Sequence, residues 1–266
     1  MTGMDAGADT ITIQNHVARP DAAGGVGAPE RGTSPVGSLN DEDPVRAAWP
    51  LQALELRAGD LRLRPVRDVD AVAQGHIVHR LLPADQQYFM PRLVEGALAP
   101  TAAETARNVL RYTWRTRADV CPAHWSLPLA VLQRDRLVGM QSIDATGFAV
   151  TREVHTGSYL DPALQGRGIG AAMRAVVVEF AFRYLGATTA SSGYMVGNHA
   201  SRKVSERLGY ADDGMVVWEF RGERFEERRM RLTAQRWPAF RPGWLNGLRV
   251  TGLAACWPLL VGDPHD

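Results

Sequence analysis

Three alternating glycines, Gly166, Gly168 and Gly170, form the motif with the clearest chemical meaning in the sequence. They lie in the segment LDPALQGRGIGA (160–171), where an apolar strand pattern gives way to a long amphipathic helix pattern. Glycines at a helix start leave backbone N–H groups uncovered, and the helix dipole adds a field that favours an anion. The segment therefore predicts a binding site for a pyrophosphate group.

Two classes of pyrophosphate ligand are compatible with such a loop. Taken as Gly166-x-Gly168-x-x-Ala171, it satisfies the relaxed dinucleotide fingerprint of nicotinamide and flavin enzymes. That fingerprint directly follows the first strand of a parallel unit and needs an acidic residue about 20 positions further on. Here antiparallel hairpin patterns precede the loop, and the next strand pattern, TTASSGYM, contains no acid. This context disfavours a dinucleotide oxidoreductase.

Taken as Gln165-x-x-Gly168-x-Gly170, the loop resembles the pyrophosphate loop of the GNAT acyltransferases, which use acyl-coenzyme A. A second block is similar to a segment of the RimJ/RimL-like branch of that family: Asn198-x-x-Ser201-x-x-Val204-x-Glu206-x-Leu208-Gly209-Tyr210. The resemblance covers residues 51–266, and the segment REVHTGSYL (152–160) looks like that of an actinobacterial subgroup of undefined substrate. It implies a mixed α/β fold with a largely antiparallel sheet flanked by helices.

The resemblance also implies which residues contact the coenzyme. A strand end offers main-chain groups to the pantetheine arm and the loop encloses the pyrophosphate, which together gives Ser158, Tyr159, Leu160, Gln165, Gly166, Arg167, Gly168, Ile169 and Gly170. Asn198 and Ser201 are implied to reach the same arm. Asn198 equally suits a helix N-cap, a role compatible with coenzyme contact.

The family's chemistry needs a proton donor for the leaving thiolate and a base for the attacking amine. The resemblance favours Ser201 as the donor, although a serine in a first helical turn also suits bonding to its own backbone. Candidates for the base are Glu153, His155 and Glu219, with Glu153 ranked first because it lies in the REVHTGS segment. Glu219 is one residue out of register with the glutamate of RimL-like enzymes, and His155 also suits a partly buried strand position.

The elements that must position these residues are predicted from hydrophobic periodicity and turn residues. A helix over 101–117 opens with a capping box formed by Thr101 and Glu104. The other predicted elements are a hairpin around 58–60, a helix over 67–82, a short helix and loop over 86–99, strands over 127–133, 136–144 and 148–160, a helix over 167–185, a strand over 188–195, a helix over 198–208 and a hairpin of 215–220 with 224–232. Their order is that of a mixed α/β domain.

Composition places these elements in one domain behind a tail. Of 266 residues, 45% are hydrophobic, whereas residues 1–48 hold seven glycines and no aromatic residue, so we predict a disordered tail over 1–48 and a GNAT-like domain over 49–266. A net charge of +1 gives no electrostatic argument for nucleic acid or a membrane surface.

Cys121 and Cys256 are too far apart for a disulfide framework or a zinc site, so we expect no metal. No apolar run suits a signal peptide or a membrane span, and the arginine bias is typical of a GC-rich bacterial genome, so we expect a cytoplasmic bacterial protein.

The resulting hypothesis is an N-acyltransferase that moves an acetyl or other short acyl group from acyl-CoA to a primary amine by direct attack. The sequence does not identify the acceptor amine, which is on a protein or a small molecule. It also leaves open whether the protein forms a homodimer. Five aromatic residues either line an acceptor cleft or belong to the core: Tyr88, Phe89, Tyr112, Trp114 and Trp125. The alternative is a module of the same fold that binds acyl-CoA without turning it over.

Overall fold

A computed structural model describes residues 48–81, 97–220 and 222–262. Nine strands lie in these ranges: β1 Glu55–Ala58, β2 Leu61–Pro65, β3 His124–Gln133, β4 Arg136–Thr146, β5 Glu153–Leu160, β6 Thr189–Met195, β7 Ala211–Phe220, β8 Glu223–Thr233 and β9 Arg249–Thr251. They form one sheet in the order β7-β8-β6-β5-β4-β3-β2-β1-β9. Every neighbouring pair is antiparallel except β5 with β6. The predicted mixed, largely antiparallel fold is confirmed.

Helices flank the sheet. They are α1 Asp68–Leu81, α2 Ala102–Ala118, α3 Phe148–Thr151, α4 Ile169–Glu179, α5 His199–Arg207 and α6 Leu253–Leu260. A π-helical segment, Phe180–Leu185, extends α4 to the predicted helix end at residue 185, and Gly186, with a left-handed φ of 72°, is its C-cap. Short 3₁₀ turns lie at Pro50–Ala53, Pro162–Leu164, Trp237–Ala239 and Gly243–Gly247.

Side chains along β5 alternate between two cores, one on each face of the sheet. Tyr159 packs with buried residues of α1 and α2, including Ile77 and Val109. Val154 and Leu160 belong to the larger core on the face of α4. Because successive strand residues point to opposite faces, α1 and α2 cover one face and α4 the other.

The pair α1 and α2 packs closely enough to need a glycine. A Cβ added at Gly75 would lie 2.7 Å from the Cβ of Ala106, and nearer still to its Cα. The predicted capping box at the start of α2 is confirmed: Thr101 Oγ1 accepts a hydrogen bond from Glu104 N at 3.2 Å, and Thr101 N donates to Glu104 Oε2 at 3.2 Å. Both features fix the helix pair that forms one wall of the site described below.

Residues after β8 return to the opposite edge of the sheet. β9 pairs with β1, with Val250 opposite Leu56. Cys256 Sγ donates to the carbonyl oxygen of Pro50 at 3.3 Å, and Trp125 Nε1 donates to that of Leu260 at 2.7 Å. This terminal clasp, residues 249–260, was absent from the sequence prediction.

A buried carboxylate anchors the connection before the clasp. Glu179 accepts hydrogen bonds at 2.8 Å from Trp237 Nε1 and from Nε and Nη2 of Arg241, and its side chain is 3% exposed. Burial alone raises the pKa of Glu179, but the hydrogen bonds from Arg241 and Trp237 and the arginine charge outweigh it, so the net pKa lies below its usual range.

The predicted strand 148–160 was wrong over its first residues. Residues Phe148–Thr151 form the single turn α3, because the amides of Val150 and Thr151 both donate to the carbonyl oxygen of Gly147 at 2.9 Å. Arg152, with a φ of 49°, then redirects the chain into β5. Most of the predicted element 86–99, and residues 1–47 of the predicted tail, lie outside the described residues, so the division into tail and domain stays a prediction.

Candidate functional site

A gap opens between β5 and β6, the parallel pair at the centre of the sheet. Their ladder runs from Glu153 opposite Thr189 to His155 opposite Ser191 and ends there, although both strands continue. Two residues further along, Gly157 and Gly193 face each other across the gap by extension of this register. Two glycines at this point leave room between the strands for a ligand chain.

A cavity of about 450 Å³ occupies this gap and reaches both faces of the sheet. On the face of α1 and α2 its lining includes Gln74, Tyr112, Ser142, Asp144, His155 and Tyr159. On the face of α4 and α5 it includes Thr156, Ser158, Arg174, Asn198 and Ser201. Since neighbouring residues of β5 line it from opposite faces, the cavity passes through the sheet.

The glycine loop lies at the surface beside this cavity. Gly166 and Gly168 have φ values of 76° and 80°, which L side chains rarely adopt, and Gly168 is the N-cap of α4. Gln165, Arg167 and both glycines are exposed, whereas Ile169 is buried. Leu160 and residues 165–170 do not line the cavity themselves. Gly170 lies one turn before Arg174 on the same side of α4, and this places the loop next to the cavity wall.

Arg174 is the buried cation of the cavity wall. Its side chain donates to Ser205 Oγ at 2.9 Å and to Ser158 Oγ at 3.3 Å, and the residue is 3% exposed. Desolvation by burial lowers the pKa of Arg174. Ser205 therefore positions this arginine. The other cations near the loop, Arg167, Arg202 and Lys203, are exposed.

Asn198 and Ser201 are brought together at the start of α5. Asn198 Oδ1 accepts a hydrogen bond from Ser201 N at 3.0 Å, so the N-cap interpretation of Asn198 describes its contact in the structure. Both residues line the cavity. The Ser201 hydroxyl is thus on the same face of the sheet as Ser158 and Arg174.

Of the three base candidates, only His155 lines the cavity. Glu153 lies on the same face of β5, two residues before His155, and its carboxylate is 3.7 Å from the Arg231 guanidinium. Glu219 lies in the β7–β8 hairpin, where its carboxylate accepts the N–H of Gly222 and closes the turn. The structure thus leaves Glu153 and Glu219 off the cavity wall.

Two carboxylates that the sequence analysis missed do line the cavity. Glu227 on β8 reaches over the gap: a Cβ added at Gly193 would lie 2.8 Å from Glu227 Cδ and nearer still to a carboxylate oxygen. Its signal in the sequence was weak, because it lies in a segment rich in Glu and Arg residues, which is typical of a solvated face.

Asp144 is the second missed carboxylate. It accepts hydrogen bonds from the Ser126 hydroxyl and, at 2.9 Å, from Ser142 Oγ, and it pairs with His155 across β4 and β5. Burial raises the pKa of Asp144, which the two serine hydrogen bonds and the charges of His155 and His124 only partly oppose. The alternation Ser142-x-Asp144 in a strand was the signal that could have identified it.

The aromatic residues divide between cavity and core. Tyr112 on α2 lines the cavity, and so does Trp218 on β7, which the sequence analysis did not single out. Trp125 is fully buried in the core, and Trp114 Nε1 donates to Asp68 Oδ2 at 3.2 Å on the surface. Tyr88 and Phe89 lie outside the described residues.

Comparison with known proteins identifies the family. The family model described as an acetyltransferase (GNAT) domain matches residues 60–211, which hold the β5–β6 gap, the glycine loop and the start of α5. The chain belongs to the GNAT acetyltransferase family. GNAT enzymes use acetyl-CoA as the acyl donor. The match ends at the start of β7, so the family model does not reach Glu227 or the terminal clasp.

Individual relatives agree with this membership. YdaF of Bacillus subtilis (strain 168), provisionally named a ribosomal N-acetyltransferase, is 27% identical over 151 residues, which are 52% of this chain and 80% of that protein. RimJ of Mycobacterium smegmatis, solved in complex with CoA-disulfide, superposes with a TM-score of 0.60 at 19% identity over 74% of this chain and 95% of its own. The ribosomal-protein-S5-alanine acetyltransferase of Vibrio fischeri gives 0.53 at 16% identity over 69% and 98%. These two structures show the shared fold.

Two further observations concern the described ranges only. No helix among them has the length and apolar character needed to cross a bilayer. No three His, Cys, Asp or Glu side chains among them are grouped so that they could hold a metal ion.

Proposed function

We propose that this GNAT protein is an N-acyltransferase that moves an acetyl or other short acyl group from acyl-CoA to a primary amine. The observation that carries the proposal is the cavity that passes through the sheet at the β5–β6 gap, beside the glycine-capped start of α4. One face of the sheet can then receive the coenzyme and the other the amine. Residues 49–266 form the acyltransferase domain in this proposal.

The residues present fit the coenzyme. The first-turn amides of α4 lack intrahelical partners by geometry, and the left-handed Gly168 leaves no side chain over them, which suits a pyrophosphate. Beyond His155 the edge of β5 facing the gap is released from the ladder, so main-chain groups near Ser158 can bind the pantetheine arm. Bound acyl-CoA supplies a thioester, and the chain's residues align it with the amine.

Proton transfer falls to residues on opposite faces of the gap. The amine nitrogen forms a bond to the thioester carbonyl carbon, the carbon–sulfur bond breaks, and the amine loses one proton. We assign Glu227 as the acceptor of that proton because its carboxylate lies directly over Gly193 in the gap. We rank His155, at the end of the ladder, second, and Glu153, two residues earlier on β5, third. Ser201, on the other face, donates a proton to the thiolate sulfur.

The acceptor is an amine on a protein or a small molecule. The names of YdaF and of the Vibrio fischeri structure refer to ribosomal substrates, so peptides with free N-termini belong in the first panel of acceptors. A net charge of +1 gives no electrostatic support for nucleic acid as a partner.

The test is thiol release from acetyl-CoA on a panel of amines, with calorimetry of acetyl-CoA binding beside it. Glu227→Gln should lower kcat by about 10²- to 10⁴-fold with little change in coenzyme affinity, since the shape is kept and the basicity is lost. Glu219→Gln, in the hairpin turn, is the matched control and should retain parental turnover. If His155→Gln or Glu153→Gln loses turnover while Glu227→Gln does not, the assignment of the base is wrong. Binding of acetyl-CoA without thiol release on any amine would instead support the non-catalytic module.

A further inference from the structure

A buried amide in the cavity wall has an unused hydrogen-bond donor. Gln74 on α1 is 2% exposed and lines the cavity on the face of α1 and α2, opposite the face of the glycine loop. Its Oε1 accepts the Tyr159 hydroxyl at 3.2 Å, whereas its Nε2 is buried without a hydrogen-bond partner among the described residues. Buried donors are normally paired, so this N–H₂ group calls for an acceptor oxygen.

The Tyr159 hydroxyl determines which end of the amide is free. Burial raises the pKa of Tyr159, so the hydroxyl keeps its proton and needs an acceptor for it. In the described part of the chain, that acceptor is Gln74 Oε1. The amide is therefore held with its oxygen towards Tyr159, and its N–H₂ group is the end left for a ligand.

Apolar side chains surround this end of the cavity. Tyr159 belongs to a buried apolar cluster that includes Val109 and has Met140 packed against it, and all three residues line the cavity. Thr113, which lines the cavity from α2, already donates its hydroxyl to the carbonyl oxygen of Val109 at 2.9 Å. An oxygen atom of a bound acceptor would therefore supply the partner that Gln74 Nε2 lacks within the described residues.

Strand geometry gives the distance from this donor to the reacting centre. The proposed function places acyl transfer at the gap, where Gly157 faces Gly193. Tyr159 lies two residues beyond Gly157 on the same face of β5, which is roughly 7 Å along the strand. Two residues of extended peptide also span about 7 Å. A carbonyl oxygen within two residues of a peptide's terminal amine can therefore reach Gln74.

We propose that Gln74 is a specificity-determining residue, whose Nε2 donates to an oxygen of the acceptor, such as a peptide carbonyl, roughly 7 Å from the reacting amine. The proposal rests on the proposed function, because that function brings the amine to this face of the gap. An acceptor without such an oxygen leaves the buried donor unpaired, and a site with an unpaired buried polar group discriminates against that acceptor.

The test compares L-alanyl-L-alaninamide with 1-aminohexane in the parental full-length protein and in Gln74→Met. The measured quantity is the ratio of kcat/KM for the peptide to kcat/KM for the alkylamine, so the different basicities of the two amines cancel between proteins. We expect this ratio to fall about fivefold in Gln74→Met, as for the loss of one hydrogen bond. Thr113→Val is the matched control, since it removes a cavity-lining hydroxyl that is already paired within α2, and it should keep the parental ratio.

A parental ratio in Gln74→Met overturns the proposal, and this includes the case in which both amines are acylated more slowly by the same factor. An equal fall in Thr113→Val also overturns it. Folding of each variant is checked by circular dichroism. If Gln74→Met does not fold, Gln74→Asn, which withdraws the same amide by about 1.5 Å, should lower the ratio instead, and a parental ratio there is equally decisive against the proposal.

Calorimetry separates this inference from the proposed function. If neither amine is acylated, the proposed function fails for these acceptors, and titration of L-alanyl-L-alaninamide into the CoA-loaded protein decides the inference. Binding that is about fivefold weaker in Gln74→Met than in the parent supports the assignment of Gln74. Equal binding to both proteins, or no binding to either, overturns it.

Discussion

Gly75→Ala tests the contact between α1 and α2, the helices that carry Gln74 and Tyr112 to the cavity. The added Cβ would meet Ala106 Cβ at 2.7 Å, whereas carbon atoms pack best at about 3.5–4.0 Å, so the helices must separate by roughly 1 Å. Overpacking of this kind costs about 1–3 kcal/mol, and the higher helix propensity of alanine returns about 1 kcal/mol. The clash involves helix backbone, so we expect a net loss of about 1–2 kcal/mol in the free energy of unfolding.

Thermal unfolding followed by circular dichroism measures this loss. For a domain of this size it corresponds to a fall in Tm of roughly 2–8 °C. Gly170→Ala in α4 is the matched control, since its Cβ would lie 3.8 Å from Val204 Cγ2, in ordinary contact, and we expect a Tm at or near the parental value. A Gly75→Ala protein that is as stable as the parent would refute the close helix contact and, with it, the rigid wall that we assign to the cavity.

Three other predictions concern the loop, the tail and the buried carboxylate. Gly168→Val forces a branched residue to a φ of 80°, but no atom lies within 4 Å of the added Cβ, so the fold should survive. The Kd for acetyl-CoA, measured by calorimetry, should rise at least about tenfold. An unchanged Kd would show that the loop does not bind the coenzyme. Deletion of residues 1–48 should leave Tm and coenzyme affinity unchanged, because that segment has few apolar residues to pack, and a large fall in Tm would contradict this. Glu179 has a lowered pKa, so its pair with Arg241 contributes stability above the unfolded-state pKa of about 4.3 and loses it as pH falls through the folded-state value. Denaturation should therefore show Glu179→Gln about 3 kcal/mol less stable than the parent at pH 7, with the difference shrinking below pH 4, whereas a pH-independent difference would contradict the linkage.

Elements whose signals are local could be predicted from the sequence. Thr101 and Glu104 mark the start of α2 because a capping box needs only residues three apart. Gly186 marks the end of the helix begun by α4 because a left-handed residue stops the helical pattern. The terminal clasp could not be predicted, since a three-residue strand has no periodicity of its own and forms only against a partner almost 200 residues earlier.

The same distinction between local and long-range signals applies to the residues of the site. The loop and α5 carry contiguous motifs, so residues 165–170, Asn198 and Ser201 could be proposed as site residues from the sequence. Asn198 and Ser201 line the cavity, and their role in binding the coenzyme stays a prediction. Asp144 and Glu227 were missed because their positions in the site depend on contacts with other strands. Asp144 accepts a hydrogen bond from Ser126 on β3, and the Glu227 carboxylate lies over Gly193 on β6. Glu153 ranked first on its segment alone, yet the β5–β6 ladder ends at His155, two residues further along the same face, and His155 lines the cavity.

The terminal clasp sets an order in which the chain can be completed during synthesis. β1 is made before the other eight strands of the described sheet, yet its outer edge stays unpaired until residues 249–251 have emerged, and Pro50 meets Cys256 only after some 200 further residues. Until then the nascent chain carries an open strand edge with Leu56 beside it, the kind of surface that pairs with other chains. A ribosome that stalls after β8 would therefore present every residue of the proposed cavity on a sheet with both edges unprotected.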